Sequence, residues 1–387
     1  MKPKAEIRNP KSEIRNPKSV ARYIMIGGFL GAGKTTAVSR LARYLSDQGL
    51  RVGLITNDQG SQLVDTATLA SRGFPVEEIP GGCFCCRFNS LVDAAQKLSA
   101  ATRPDVFIAE PVGSCTDLVA TVSYPLRRIY GDQFSLAPLS VLVDPIRALR
   151  VFGLAEGGNF SDKVRYIYRK QLEEADLIVI NKCDLLAADQ LDRLQTALEK
   201  CYPDSRRLEI SAKLGRGLPE WFQRLTTDHQ SARAAMAVDY DAYAEGEALL
   251  GWLNATLQLD ATAPFDGNRL LSQFATALQT QLAGQGAEIA HLKMTLDPDG
   301  GLGDLAVINL VRNDYRPELS QELQDPMQSG QLVLNLRAEG SPEILRRVVE
   351  ESLAACAPKE GNVRAALEHL ECFQPGRPQP THRLAVP

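Results

Sequence analysis

Gly28-Phe-Leu-Gly-Ala-Gly33-Lys34-Thr35 has the spacing G-x-x-x-x-G-K-[ST] between an apolar run and a helical pattern, the context that distinguishes a phosphate-binding loop from a glycine-rich turn. Gly28, Gly31, Ala32 and Gly33 let successive backbone N–H groups turn inward around phosphate oxygens, and the following helix adds its positive end. Lys34 then reaches the terminal phosphates, Thr35 offers a hydroxyl to Mg²⁺, and Thr36 continues the first turn. Asn181-Lys182-Cys183-Asp184 follows another apolar run, and Ser211-Ala212-Lys213 comes after the next. A buried carboxylate at Asp184 accepts both the ring N–H and the exocyclic amine of guanine and would be left unpaired by adenine, so the expected nucleotide is GTP or GDP. In this reading Asn181 braces the loop and the Lys182 stem lies over the base.

Glu110 ends a predicted strand and Gly113 follows three residues later. The carboxylate is placed to hold Mg²⁺ or orient attacking water, and the glycine allows a close backbone approach to the γ-phosphate. Asp58 is either a second carboxylate of the metal shell or a turn residue. Cys83, Cys85 and Cys86 crowd beside Gly81-Gly82 ahead of a helix. Clustered thiolates suit Zn²⁺ or Co²⁺, and three ligands leave the open position of a transferable ion. Packed small side chains and a redox pair are the alternatives. Cys115 is either a small buried residue or a fourth thiolate. The other Cys and His residues are scattered; Cys201, Cys356 and Cys372 read as helix packing, Trp221 and Trp252 as core, and Glu173-Glu174-Asp176 as a solvated helix end.

Elements that position these residues follow from hydrophobic periodicity. Strands are predicted at Ala21–Gly27, Val52–Asn57, Val106–Glu110, Leu139–Asp144, Leu177–Asn181 and Leu208–Ser211, alternating with helices such as Thr35–Ser46, Leu91–Ala100, Lys163–Glu174 and Leu191–Lys200. Continuous β-branched strands between amphipathic helices imply an α/β fold with a mainly parallel sheet flanked by helices, that is, a P-loop NTPase over residues 21–225. A polar linker is expected at 226–240. A small α+β domain follows over 241–373, its elements being Ala248–Leu259, Asn268–Ala283, Glu288–Leu296, Leu305–Val311, Gln331–Arg337 and Pro342–Ala355, and then a loose Pro-rich tail over 374–387. The first twenty residues stand apart: EIRNPKS occurs twice, six cations face two glutamates, and hardly any apolar side chain is available to order the segment.

Composition narrows the class. With 44% apolar and 23% charged residues the chain is ordinary globular protein. Lys and Arg number 43 against 47 Asp and Glu, a net charge of −4 that gives no field for nucleic acid or acidic membranes. No apolar run approaches the ~18–20 residues of a membrane helix. Eight cysteines in this length are too few for a disulfide scaffold, which points to a reducing, cytoplasmic setting.

Taken in order, GGFLGAGKTT, TND, GGCFCC, EPVG, NKCD and SAK resemble the CobW-type GTPases, which belong with the nickel-inserting accessory GTPases of hydrogenase and urease. The resemblance covers residues 21–225 and implies a GTP-hydrolysing metallochaperone. Cys83, Cys85 and Cys86 would hold zinc or cobalt between two switch segments, Glu110 and Gly113 would match the second switch, and Asp58 an acidic position of the first. The chain departs from the family pattern in having Pro111 and Val112 where small hydroxylated residues are usual, and in lacking a His-rich stretch. The C-terminal domain would recognise a client metalloprotein, with a homodimer as one assembly the sequence allows. Turnover is expected to be slow, because no arginine finger is evident by sequence position. Two rivals remain: a GTP-gated assembly or reactivation factor for a metallo- or corrinoid enzyme without metal transfer, and a small-molecule kinase, which N-K-x-D and the lack of a basic lid disfavour.

Overall fold

The computed structural model describes residues 20–59, 64–70, 72–300, 303–357 and 362–386; the repeat over Met1–Ser19 lies outside them. Strand β1 (Ala21–Gly28) is buried on both faces. Ile24 and Ile26 pack into one core, while Tyr23 and Met25 turn to the other, as a central parallel strand requires. The remaining strands of this sheet are β2 (Val52–Asn57), β3 (Val76–Ile79), β4 (Val106–Glu110), β5 (Phe134–Leu136), β6 (Ser140–Val143), β7 (Leu177–Ile180) and β8 (Arg206–Glu209). Their order is β3-β2-β4-β1-β6-β7-β8, with β5 beside β1, and every pairing is parallel. Helices α1 (Lys34–Asp47), α2 (Val64–Ala70), α3 (Phe88–Thr102), α4 (Tyr124–Tyr130), α5 (Pro145–Val151), α6 (Asp162–Glu173), α7 (Ala188–Cys201) and α8 (Leu218–Thr227) connect them. The sheet thus gathers the ends of β1, β2, β4, β6, β7 and β8 on one edge, where ligands of open α/β sheets bind.

A second, antiparallel sheet follows helix α9 (Tyr240–Ala248). It comprises β9 (Leu250–Phe265), β10 (Glu288–Pro298), β11 (Ala306–Leu310), β12 (Glu318–Gln321), β13 (Met327–Glu339) and β14 (Arg364–Phe373), ordered β12-β11-β10-β13-β9-β14. Helices α10 (Gly267–Gly284) and α11 (Pro342–Cys356) cover its apolar face. Leu253, Ala255, Leu257 and Leu259 of β9 pack into that core, while Leu250 and Trp252 join the core of the first sheet. The two sheets therefore meet through apolar contact. Trp252 and Trp221 are fully buried, as expected.

Several sequence expectations change. Strands β3, β5, β12 and β14 went unforeseen; β3 reads Val-Glu-Glu-Ile and buries only Ile79. The region read as linker and strand contains α9, capped by the Asp239 carboxylate, which accepts from Asp241 and Ala242 N–H. Cys372 lies on β14, and Cys201 is exposed. The tail beyond Phe373 docks instead of hanging loose: Arg383 pairs with buried Asp117 at 2.7 Å, and Leu384 N–H donates to Ala120 O at 2.9 Å.

Glu174 is also buried, where a solvated helix end was expected. Its carboxylate accepts from Thr116 Oγ1 at 3.2 Å and Val119 N at 3.0 Å, but burial still pushes its pKa up to about 8. The unfolded carboxyl releases its proton near the ordinary value and the folded one only near 8, so the unfolded state binds fewer protons in between. Stability contributed by this group is therefore lost as pH rises through that window. Glu174→Gln should raise Tm by a few degrees at pH 8 and by less at pH 5. Equal Tm changes at both pH values in a calorimetric scan would count against the assignment.

Candidate nucleotide and metal site

The loop after β1 passes through left-handed backbone where side chains cannot follow. A Cβ on Gly28 (φ 130°) would stand 2.3 Å from Leu142 O, and one on Gly33 (φ 90°) 2.5 Å from Asn181 Nδ2. Lys34 and Thr35 then open α1, both buried. The Lys34 ammonium donates to Gly28 O at 3.0 Å, so it lies folded along the loop. Thr35 Oγ1 donates to Glu110 Oε1 at 3.1 Å, joining the loop to the end of β4. Thr36 is exposed. Gly113 is pressed against the loop, since a Cβ there would meet Leu30 N at 2.9 Å.

The distal end of the site is braced by Asn181. Its amide donates to Ala32 O at 2.8 Å and its carbonyl accepts from Ala212 N at 3.0 Å, fixing both loops to one side chain. Lys182 adopts φ 55° and reaches Gly31 O at 2.7 Å and Asp144 Oδ2 at 2.9 Å. Ser211 is buried, and its hydroxyl accepts from Leu214 N at 3.2 Å. Asp184 differs from expectation. It stands exposed on the one-turn segment Cys183–Leu185, at the rim, and not in a closed pocket. Lys213 is exposed and pairs with Glu318 of β12.

Cys83, Cys85 and Cys86 form a tight turn in which Cys86 N–H and Arg87 N–H both donate to Cys83 O. Their Sγ atoms lie 2.7, 3.1 and 3.7 Å apart. Tetrahedral zinc at ~2.3 Å from each sulfur spaces thiolates by about 3.7 Å, so a small outward rotation of Cys83 and Cys85 fits an ion. Cys115 is buried in the same core as Cys83 and acts on its thiol. Hydrogen bonds from Cys115, then Cys85 and Cys86, pull the Cys83 pKa well below that of an ordinary thiol. The neighbouring Cys85 rises through its hydrogen bond to Cys83, and Cys86 is pushed up to about 11 by the same partner. The arrangement favours ionisation at Cys83 over Cys85, Cys86 and Cys115. Asn57, at the end of β2, donates to Ile79 O at 2.8 Å and Gly82 O at 2.6 Å, tying the cysteine loop to the residue beside Asp58.

Four contributors were not foreseen, all from the C-terminal part. Arg337 of β13 grips Asp58 through both carboxylate oxygens at 3.1 and 3.2 Å. Lys293 of β10 donates to Thr35 Oγ1 at 3.2 Å. Glu247 of α9 accepts from Ser114 Oγ at 2.6 Å, and burial with the negative charge at Cys83 holds its pKa well above the usual carboxylate range. The tail crosses the cysteine loop, where Thr381 N–H donates to Cys85 O at 2.8 Å and Gln379 N–H to Cys86 Sγ at 3.2 Å. Alternation was the available signal for β10: His291 and Lys293 interleave with Leu292 and Met294, so a polar face had to meet something other than the core.

A glycine loop between a parallel strand and a helix, with a threonine hydroxyl meeting a strand-end carboxylate, defines a P-loop nucleotide-binding protein. The comparison with known families narrows this class: residues 22–208 match the family described as CobW/HypB/UreG, nucleotide-binding domain. Over 179 residues the chain is 31% identical to the zinc chaperone YeiR of Escherichia coli, covering 46% of this chain and 51% of that protein. Over 223 residues it is 30% identical to the zinc chaperone CobW of a Sinorhizobium species, covering 50% and 61%. The chain therefore matches about half to three fifths of the length of these relatives. A solved structure, Zn(II)-bound YjiA GTPase from E. coli, is 16% identical over 87% of this chain and 99% of that one, with a TM-score of 0.36. Among the described residues no helix is long and apolar enough to cross a membrane.

Proposed function

We propose that the protein is a GTP-hydrolysing metallochaperone that carries zinc, or cobalt, on Cys83, Cys85 and Cys86 and passes it to a client metalloprotein. The observation that carries this reading is Asn57. One side chain ties the cysteine loop to the segment holding Asp58, so a change at the nucleotide edge is felt at the thiols. The relatives named zinc chaperones support zinc as the cargo.

Each residue then has a role. Gly28, Gly31, Ala32, Gly33, Lys34, Thr35 and Thr36 cradle the phosphates, and Asn181, Lys182, Asp184, Ser211, Ala212 and Lys213 frame the guanine. Magnesium would be held by Thr35 and Glu110, and by Asp58 once its carboxylate is released from Arg337. The fit is good, because Thr35 Oγ1 and Glu110 Oε1 are hard oxygen donors 3.1 Å apart, with a cationic ammonium already against the hydroxyl. When bound, the ion neutralises charge on the transferring phosphoryl group. Glu110 and Gly113 sit on the segment that leads directly to Ser114 and Cys115, so ordering of that segment reaches both Glu247 and Cys83.

The decisive experiment is metal analysis of anaerobically purified protein with GDP and with a non-hydrolysable GTP analogue. Zinc or cobalt at one equivalent, with affinity that differs between the nucleotides, is the expected result. Metal-free protein that still turns over GTP would favour an assembly factor without metal transfer. The tail offers a finer test. Gln379→Pro removes the N–H that donates to Cys86 Sγ, and loss of such an outer hydrogen bond should weaken zinc binding by about tenfold. Unaltered affinity in a chelator competition would mean that the tail only covers the loop.

A further inference from the structure

A cation from the C-terminal sheet, 258 residues further along the chain, reaches the threonine of the phosphate loop. Lys293 sits in β10 between Leu292 and Met294, both fully buried in the core beneath α10 and α11. Strand alternation therefore sends Lys293 to the opposite face, toward the first sheet. Across the ladder it pairs with Asn335, and its neighbour His291 pairs with Arg337, so the same face carries the arginine that grips Asp58.

This face is seated firmly on the glycine loop. A Cβ on Gly31 would stand 3.0 Å from Ala290 O. Buried Arg147, from α5, donates to Ile289 O at 3.1 Å, and buried Arg312 donates to Asp144 Oδ1 at 2.9 Å. Asp144 in turn holds Lys182, which reaches Gly31 O. The backbone of β10 is thus locked to the loop, and Lys293 Nζ lies 3.2 Å from Thr35 Oγ1, the hydroxyl that a magnesium ion would use.

We propose that Lys293 is a catalytic cation for GTP hydrolysis, delivered in cis by the C-terminal sheet; this rests on the GTPase reading above. An ammonium and a magnesium ion cannot both crowd one hydroxyl oxygen, because the two positive charges repel. The flexible four-carbon stem lets Nζ withdraw from Thr35 while β10 stays fixed. A terminal phosphoryl group seated on the loop would lie beside that hydroxyl, within reach of the same ammonium, and its oxygens gain negative charge as the bond to the leaving oxygen breaks and water adds. Lys293 forms no covalent bond and keeps its proton; its part is electrostatic.

The test compares Lys293→Met, which keeps the stem and removes the charge, with Lys293→Arg. For Lys293→Met, kcat should fall by about a hundredfold to a thousandfold while KM for GTP stays within a small factor. Binding of GDP with aluminium fluoride, a transition-state mimic, should weaken by a similar factor, whereas binding of GDP alone should not change. Lys293→Arg should restore part of both. Unchanged or faster turnover, with undiminished binding of the mimic, would overturn the proposal and leave Lys293 as a plug of the cation position. Wild-type protein that binds neither GTP nor GDP would instead overturn the nucleotide reading itself. Melting temperatures of both variants separate misfolding from lost chemistry, since misfolding lowers GDP binding as well.

Discussion

Asp184→Asn should cut affinity for GTP by a factor on the order of 10⁴ and transfer preference to xanthosine triphosphate. A site that hydrogen-bonds a substrate donor rejects the analogue lacking it by about that factor, since one partner is left desolvated and unpaired. The asparagine amide would face the guanine amine donor to donor, whereas the xanthine carbonyl accepts from it. The scaffold should survive. Asp184 is exposed on a short turn, and the bracing bonds to Ala32 and Ala212 belong to Asn181. Asp184 is exposed until a base covers it, so the size of this loss depends on the bound guanine taking the carboxylate out of water. Competition titrations of GTP, ATP and xanthosine triphosphate against both proteins read this directly. Equal wild-type affinity for GTP and ATP would refute the guanine assignment.

What the sequence made legible is what must be close in the chain to work. Gly28 to Thr35 lies on one strand-to-helix turn, where Gly28, Gly31 and Gly33 all take positive φ. Asn181 to Asp184 and the three cysteines likewise each share one turn, although Asp184 stands exposed where a buried carboxylate was expected. Illegible were the residues whose partners are hundreds of positions away. Lys293 and Arg337 occupy alternate positions of strands, where a charge ordinarily faces water, and nothing local reveals that a second sheet covers them. Glu174 misleads for the opposite reason. Its acidic neighbours suggest a solvated helix end, but Thr116 and Val119 from another segment satisfy the carboxylate in the interior. The tail misleads by composition: Pro-rich and without periodicity, it docks through backbone hydrogen bonds and the Arg383–Asp117 pair, which no hydrophobic pattern announces.

Cys83→Ser should reduce zinc affinity by several hundredfold, more than loss of any neighbouring sulfur. Zinc held by four ligands in small domains is worth about 10–16 kcal/mol, so one ligand carries roughly a quarter of that. Cys83 is the sulfur drawn toward the thiolate by its three neighbours, so it is the ligand already prepared for the ion, whereas Cys85, Cys86 and Cys115 must each give up a proton held more tightly. Serine cannot replace it, because a hydroxyl does not ionise near neutral pH. Cys115→Ser separates two roles for the fourth sulfur. If Cys115 only hydrogen-bonds to Cys83, its loss should cost about tenfold or less, as an outer-shell partner does. If it ligates, the thiolate-to-metal absorption of the Co²⁺ form should drop by about one quarter, and affinity should approach that of Cys83→Ser. A Cys83→Ser variant that binds zinc as tightly as the wild type would mean that the cysteine turn is not the metal site, while leaving the nucleotide assignments to stand on Asp184 and Lys34.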